Sequence, residues 1–358
     1  MTIRVLDFGD VSPIASQAIY HGIADALGAE DAPVVTLCSP TDPYVCVGAL
    51  QDVRLEVDEA YCQSRGLPVL RREIGGGAVY LDRNQLFYHF IFPRHRAPAA
   101  SLDLFPWFIE PVLRTYRSLG IAAQYRPIND IHVDRRKIGG TAAAWIGEAT
   151  VMGGSFMFDF DAATMARCLK VPSEKFRDKL ATTLADYITS MAKLLPAVPS
   201  RPMVKQRYLD NVAEWLGEEL AESNPTPAER AAIVARETTM ADPAFVYQSG
   251  RRRIASGVKI AGGTHLTEGT WKAPGGLIRV LLLERDGAIA DLDISGDFTC
   301  LPAKGLARLA TRLHGTSVEE VPVTSAISAA IADLGLDLPG VAPADLARAI
   351  IASRHVPP

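Results

Sequence analysis

The sequence predicts an α+β fold: a mixed or antiparallel sheet with flanking helices, followed by a smaller α+β unit. Three observations carry that prediction. A run of three glycines at residues 75–77 lies between two apolar, strand-like segments, and no helix opens directly after it. P-loop and Rossmann turns both lead into a helix, so those two nucleotide folds lose ground. Residues 104–119 place apolar side chains at helical spacing. Residues 275–284 and 288–294 are apolar runs on either side of Asp286-Gly287, the pattern of a tight hairpin.

The remaining elements follow in order. After a Ser-Pro start, residues 13–28 have helical spacing, and residues 34–38 and 44–47 read as short strands between Pro-rich turns. A helical pattern over residues 56–65 precedes the strand at residues 68–70, and residues 86–92 form the strand beyond the glycines. Residues 125–133 are extended up to a turn at Asp134, Arg135 and Arg136. Residues 156–160 alternate like a strand, residues 162–169 read as a short helix after an acidic cap, and helices dominate residues 180–220. Residues 222–243 are rich in Pro, Ser, Asn and Ala and read as a linker with one short helix. Residues 303–353 hold two or three helices and end near a disordered tail.

Size and charge narrow the class. With 358 residues and 48% hydrophobic content, the chain can bury a real core, and domains of roughly 100–200 residues make two the expected count. We place them at residues 1–222 and 244–358, with residues 223–243 as linker. The 37 basic and 41 acidic side chains leave a net charge of -4, which provides no general field for a polyanion and disfavours nucleic acid as a partner. The five cysteines include no CxxC pair and suit reduced thiols in a cytosolic protein. MTIRVLDFGD lacks a long apolar core, and no later run reaches the roughly 18 apolar residues that cross a bilayer. A cytoplasmic protein with no membrane association is expected.

Two clusters could carry chemistry. Three consecutive glycines destabilise a strand connection by about 0.5–1 kcal/mol each relative to alanine, and their backbone can come close to a flat or anionic ligand and form an anion-binding nest. Arg72 could add a guanidinium fork for phosphate or carboxylate, with Arg71 pointing the other way along the strand. Taken alone, the triglycine run is equally a structural bulge. In the second cluster, Asn129 and Asp130 precede Lys137 and the pair Gly139-Gly140. An ammonium beside glycines suits nucleotidyl transfer, where it can follow developing charge on phosphate and acyl oxygen, and Lys137 is the chief catalytic candidate. Without context it reads as an exposed turn residue, and Asn129 and Asp130 as turn caps.

Together, RREIGGGAVYLD (residues 71–82) and NDIHVDRRKIGGTA (residues 129–142) resemble the lipoate-protein ligases of the biotin/lipoate ligase superfamily. The pairing is more specific than either motif. The similarity extends through VCVGALQDV (residues 45–53), and GGLIRVLLLERDGAIADLDISGDF (residues 275–298) is similar to the family's small accessory domain. The resemblance implies a catalytic domain like those of class II aminoacyl-tRNA synthetases and biotin ligases. It also implies a two-step reaction: lipoate attacks the α-phosphate of ATP to give lipoyl-AMP and pyrophosphate, and a carrier lysine then attacks the mixed anhydride. Arg72 would contact the nucleotide, Gly77, Ala78, Val79 and Tyr80 would line the acyl-adenylate, and Lys137 would touch both phosphate and acyl carbonyl. Asn129 and Asp130 would seat the nucleotide, and Gly75, Gly76, Asp82, Gly139 and Gly140 fall in the same binding set. Mg2+ would be held mostly by the phosphates, with no metal ligand set from the protein. Val69, Val79 and Phe87 are candidates for an apolar lipoyl tunnel. The partner would be a lipoyl carrier: a 2-oxo acid dehydrogenase subunit, a glycine-cleavage carrier or a more specialised lipoyl protein. A monomer is expected, with a mobile C-terminal cover.

The sequence departs from the family pattern in two places. Many relatives open the strand after the lysine loop with a histidine-glycine pair, whereas this chain reads VMGGS (residues 151–155), and Ala49 replaces a commonly polar or basic residue. Both departures bear on acyl specificity. The histidine departure also keeps open a non-catalytic lipoyl-AMP binding protein. A cysteine-dependent octanoyl or lipoyl transferase of the same superfamily needs an activated thiolate, and its nucleophile region, here residues 126–130, contains no cysteine. A biotin ligase is disfavoured because its basic glycine loop differs from RREIGGG.

Overall fold

The computed structural model describes residues 2–248, 258–261 and 264–354. The chain divides into two compact units. The first comprises Met1–Val47, Val53–Arg72 and Ala78–Val246, and the second Gly48–Asp52, Glu73–Gly77 and Tyr247–Pro358.

In chain order the first unit contains β1 (Ile3–Val11), α1 (Pro13–Ala26), β2 (Val34–Pro40), β3 (Tyr44–Val47), α2 (Val53–Glu56), α3 (Glu59–Ser64), β4 (Val69–Arg71), β5 (Val79–Leu81) and β6 (Gln85–Pro93). It continues through α4 (Ser101–Ser118), β7 (Gln124–Arg126), β8 (Asp130–Val133), β9 (Arg136–Ile146), β10 (Ala149–Met157), α5 (Ala162–Cys168), α6 (Glu174–Tyr187), α7 (Met191–Leu194), α8 (Arg201–Leu216), β11 (Leu220–Glu222), α9 (Pro227–Ala241) and α10 (Pro243–Tyr247). Among the described residues its large sheet has the order β11-β1-β2-β6-β10-β9-β8-β7. Pairing is parallel from β11 to β2 and antiparallel from β2 to β7, so the sheet is mixed, as expected.

Strand β6 shows why a continuous apolar run belongs at the centre. All nine of its residues are buried. On one face Phe90 meets Phe108 and Phe92 meets Trp107 of α4, with ring centroids 4.9 and 5.5 Å apart. On the other, His89 stacks on Tyr20 of α1 at 4.4 Å. A second small sheet, β4-β3-β5, brackets the triglycine connection.

Residues 223–243, expected as a linker with one short helix, instead contain the 15-residue helix α9. Thr226 and Glu229 form a capping box around Pro227, which satisfies two first-turn donors at once. Glu229 also receives both guanidinium nitrogens of Arg4 at 2.6 and 3.0 Å. The helix packs on α1 so closely at Gly22 that a Cβ there would sit 2.4 Å from the Ile233 backbone nitrogen. The strand expected at residues 156–160 is the end of β10, which starts at Ala149 and stops at Met157.

The second unit contains β12 (Val258–Ala261), β13 (Thr264–Ala273), β14 (Gly276–Arg285) and β15 (Ala288–Gly296), forming an antiparallel sheet in that order, then α11 (Gly305–Arg312), α12 (Glu320–Leu334) and α13 (Pro343–Arg354). Asp286 and Gly287 both have positive φ, 51° and 82°, the backbone of the expected Asp-Gly hairpin. Alternate residues of β14 and β15, including Ile278, Val280, Leu282 and Leu292, build the core with Leu309, Ile327 and Leu346 of the helices. The tail expected after residue 353 lies, beyond Arg354, outside the described residues.

Candidate functional site

The β8–β9 hairpin turns through Asp134 and Arg135, whose φ values of 47° and 67° are ones an aspartate tolerates better than most side chains. The register slips between Ile131 and His132, so that Asp130 pairs with Gly140, Ile131 with Gly139 and His132 with Lys137. The Lys137 side chain reaches forward along β9 toward Gly140 and across to Asp130 of β8, Nζ to Oδ1 at 2.7 Å. It lies over Gly140, where a Cβ would come within 3.0 Å of Nζ and 3.1 Å of Cε. Gly140 is therefore glycine to make room for this ion pair. Gly139 has only ordinary contacts at its Cβ position, the nearest at 3.6 Å. Asn129 is pinned to β9: its Nδ2 donates to the Thr141 carbonyl at 2.5 Å, and its own carbonyl accepts from Thr141 N at 2.8 Å. The structure thus brings Asn129, Asp130, Lys137, Gly139 and Gly140 together.

Two residues at this cluster escaped the sequence reading. His132 Nε2 stands 3.6 Å from Asp130 Oδ2 and 3.3 Å from the Tyr187 hydroxyl. Burial holds the imidazole pKa below its ordinary value against the opposing pull of Asp130. The signal for His132 was present, since residues i and i+2 of a strand share a face. Tyr187, at the end of α6, had none.

The other candidates lie around the triglycine connection. Arg72 follows β4; its backbone N–H donates to the Val47 carbonyl and its guanidinium to the Cys46 carbonyl, each at 3.1 Å. Arg71 points the other way, as alternation predicts. It is 1% exposed and donates to the Val246 carbonyl at 2.8 Å. Val79 packs on Tyr44, Cys46 and Leu70, Ala78 before it is half-buried, and Tyr80 is buried, its phenol pushed up to about 12 by burial. Asp82 accepts from the backbone and side chain of Asn84 at 2.8 and 3.2 Å, and burial raises its carboxyl pKa. Val69 and Val79 lie on the small sheet and Phe87 on the large one.

The three glycines belong to the second unit, and each has its own environment. A Cβ on Gly75 would meet Thr299 Oγ1 at 2.7 Å, its Cα at 2.9 Å and the Phe298 carbonyl at 3.0 Å. Gly76 has a φ of 95°, in the region that favours glycine. Gly77 has room, its nearest neighbour being Asp297 Cβ at 3.7 Å. The adjacent Ile74 carbonyl accepts from Ala49 N at 3.1 Å.

All five cysteines are free and buried. Burial pushes Cys38 and Cys300 up to about 12 and raises Cys46. Cys62 and Cys168 share a hydrogen bond that lowers the first and raises the second. Among the described residues, no group of three or more His, Cys, Asp or Glu side chains is arranged to hold a metal ion, and no helix is long and apolar enough to cross a membrane.

A mixed sheet with flanking helices, carrying a lysine paired with an aspartate over a glycine, and a small second sheet unit define an α+β protein. Residues 13–213, more than half of the chain, match the family model described as the lipoyl protein ligase A/B catalytic domain, and the chain belongs to that family. It is similar to lipoate-protein ligase LplJ of Bacillus subtilis (strain 168), 31% identical over 153 residues, which is 43% of this chain and 45% of the relative. The chain thus spans about half the length of such ligases. It is also similar to octanoyltransferase LipM of Kyrpidia tusciae, 26% identical over 254 residues, 64% of this chain and 92% of the relative. Among solved structures, a bipartite lipoate protein ligase from Thermoplasma acidophilum aligns with a TM-score of 0.65 at 24% identity, covering 71% of this chain and all (100%) of that one. Lipoate-protein ligase A bound with ATP aligns at 0.60 and 21% identity, covering 69% and 99%. These likenesses establish the fold.

Proposed function

We propose that this chain is an ATP-dependent lipoate-protein ligase, which activates lipoate as lipoyl-AMP and passes the lipoyl group to a lysine of a lipoyl carrier. The observation that carries this reading is the Lys137–Asp130 pair, an ammonium held 2.7 Å from a carboxylate oxygen above a glycine. A phosphate oxygen can take the place of that carboxylate oxygen. Nζ then follows the negative charge that builds on phosphate and acyl oxygen, stabilisation worth several kcal/mol where the donor is already in place. In the proposal, Arg72, Gly75, Gly76 and Gly77 are nucleotide contacts, Ala78, Val79 and Tyr80 face the acyl-adenylate, and Lys137 acts on the acyl phosphate. ATP would bring Mg2+ on its phosphates. A monomeric state and a cytoplasmic location belong to the same proposal, and free buried thiols suit the latter.

The similarity to an octanoyltransferase favours a second reading, transfer through a cysteine thioester. Against it, no cysteine is exposed, and only Cys62, 1% exposed, has a lowered pKa; an acyl-accepting thiolate needs access. Mass spectrometry of a purified lipoyl carrier incubated with the protein, Mg2+, ATP and either lipoate or octanoate separates the readings. A ligase acylates the carrier only when ATP is present and releases pyrophosphate. Acylation from an added octanoyl carrier without ATP identifies a transferase, and the absence of both pyrophosphate release and carrier modification identifies a non-catalytic binding protein.

A further inference from the structure

Lys137 is tied to the end of α6 in two ways. Its carbonyl accepts from Thr189 N at 2.9 Å, beside a bridge between Lys137 and Ile188. Its Nζ connects to the same segment through side chains: Nζ to Asp130 Oδ1 at 2.7 Å, Asp130 Oδ2 to His132 Nε2 at 3.6 Å, and His132 Nε2 to the Tyr187 hydroxyl at 3.3 Å. His132 is 6% exposed, and its ring meets the Tyr187 ring edge-on with centroids 5.6 Å apart. Tyr187 is itself held from the outside by Arg126, whose Nη1 donates to the hydroxyl at 3.3 Å. The backbone and side-chain routes close a loop around one lysine.

We infer that His132 and Tyr187 are positioning residues: they fix the carboxylate of Asp130, so that Lys137 is presented at one place above Gly140. The inference rests on the assignment of Lys137 to the acyl-activation step. The imidazole stands beside one carboxylate oxygen and the lysine beside the other, so His132 competes with Lys137 for one anion only when it is protonated. A neutral His132 steers Asp130 without taking its charge. A protonated His132 draws the carboxylate away from Lys137, since opposite charges at such range attract strongly when partly buried. The charged and titratable groups facing His132 are Asp130 on its own strand, Lys137 on β9, Arg126 on β7 and Tyr187 on α6, and a hydrogen bond between the ring and the Arg135 backbone favours the protonated imidazole. A misplacement of about an ångström at a catalytic group can cost on the order of a hundredfold in rate.

The test measures pyrophosphate release with lipoate, ATP and Mg2+ from about pH 5 to 9 for the 358-residue chain and for its variants His132→Ala, His132→Gln, Tyr187→Phe and Lys137→Ala. The expected result is a fall in kcat of about tenfold or more for His132→Ala, with KM for ATP changed by less than about threefold, and a smaller fall for Tyr187→Phe. The acid limb of the rate profile should flatten in both histidine variants, with His132→Gln, which keeps a donor, recovering part of the rate at neutral pH. Wild-type kcat and an unmoved acid limb in folded His132→Ala and Tyr187→Phe, with Lys137→Ala inactive, overturn the inference and leave the lysine assignment standing. Full activity in Lys137→Ala overturns both. If His132→Ala does not fold, Tyr187→Phe, at a residue 37% exposed, decides by itself.

Discussion

Lys137 is a residue whose surroundings say more than its sequence position. Beside Arg135 and Arg136 it could pass for a surface turn residue, yet its ammonium is paired with Asp130 across a position emptied of side chain. Lys137→Ala should abolish lipoyl-AMP formation, read as pyrophosphate release, while leaving the melting temperature nearly unchanged, because a half-exposed ion pair of this kind contributes little stability. Near-normal turnover would remove the lysine from the mechanism. The motif made Lys137 and Asp130 legible in the sequence, but their pairing depends on the register slip at Ile131 and His132, which no local pattern encodes. His89 was not legible at all. It sits opposite Gly153 in the register, its Nδ1 2.9 Å from Thr36 Oγ1 and its ring filling the space that a Gly153 side chain would occupy, so an imidazole does stand beside the histidine-less VMGGS segment. Burial lowers its pKa to about 3 from 6.5 and lowers His21 in the same direction. Between those values the unfolded chain binds the proton and the folded chain does not. Stability is therefore whole above about pH 6.5 and falls as the pH drops toward 3, by about 1.4 kcal/mol per unit for one such group. Urea unfolding at pH 7 and pH 5 should show the loss, and it should shrink in His89→Gln; equal stabilities at the two pH values would count against a neutral buried imidazole.

At the scale of elements, the sequence read best where the apolar pattern was local and worst where a helix end decided the matter. Strand β6, the Asp286-Gly287 hairpin and the Asp161-capped α5 were all legible. Helix α9 was concealed by its composition, although Thr226, Pro227 and Glu229 spell a capping box and an N1 proline. Its place on α1 rests on Gly22, which no reading of α9 alone could reveal. Gly22→Ala should force the two backbones apart, lowering unfolding stability by about 1–3 kcal/mol, the range for overpacked contacts. A melting curve indistinguishable from wild type would mean the crossing is looser than the 2.4 Å approach indicates. The triglycine run makes a sharper comparison, because its members differ. Gly75→Ala meets the backbone of Phe298 and Thr299, Gly76→Ala meets a φ of 95°, and Gly77→Ala meets only an ordinary contact at 3.7 Å. The first two should be destabilised and the third close to neutral in thermal unfolding, an order that a purely ligand-driven glycine requirement does not produce.

At the scale of the whole molecule, the second unit is not simply the C-terminal part of the chain. Gly48–Asp52 and Glu73–Gly77 cluster with Tyr247–Pro358, and Ala49 and Leu50 belong to the same apolar core as Ile278, Val280 and Phe298. The Leu50 carbonyl accepts from Gly296 N at 2.9 Å, and the Ala49 carbonyl from the Gln248 side chain at 2.8 Å. Two loops encoded among the strands of the first unit therefore take their shape from residues far along the chain, which is why the triglycine turn could be recognised but its conformation could not be read. A chain ending at Val246 keeps every strand of the large sheet, along with the α1–α9 contact and the aromatic core around Phe90 and Phe156. It loses the apolar cover of Ala49 and Leu50 and the backbone that packs on Gly75. Hydrogen exchange should then remain slow in β6 and β10 and accelerate at residues 48–52 and 73–77, since loops without buried contacts open at low free energy. Pyrophosphate release should fall with it, because the turn proposed to hold the nucleotide would no longer be fixed. Unchanged exchange at residues 73–77 in the shortened chain would show that the turn keeps its shape without the C-terminal part, and the second unit would then have to act elsewhere than on the nucleotide loop.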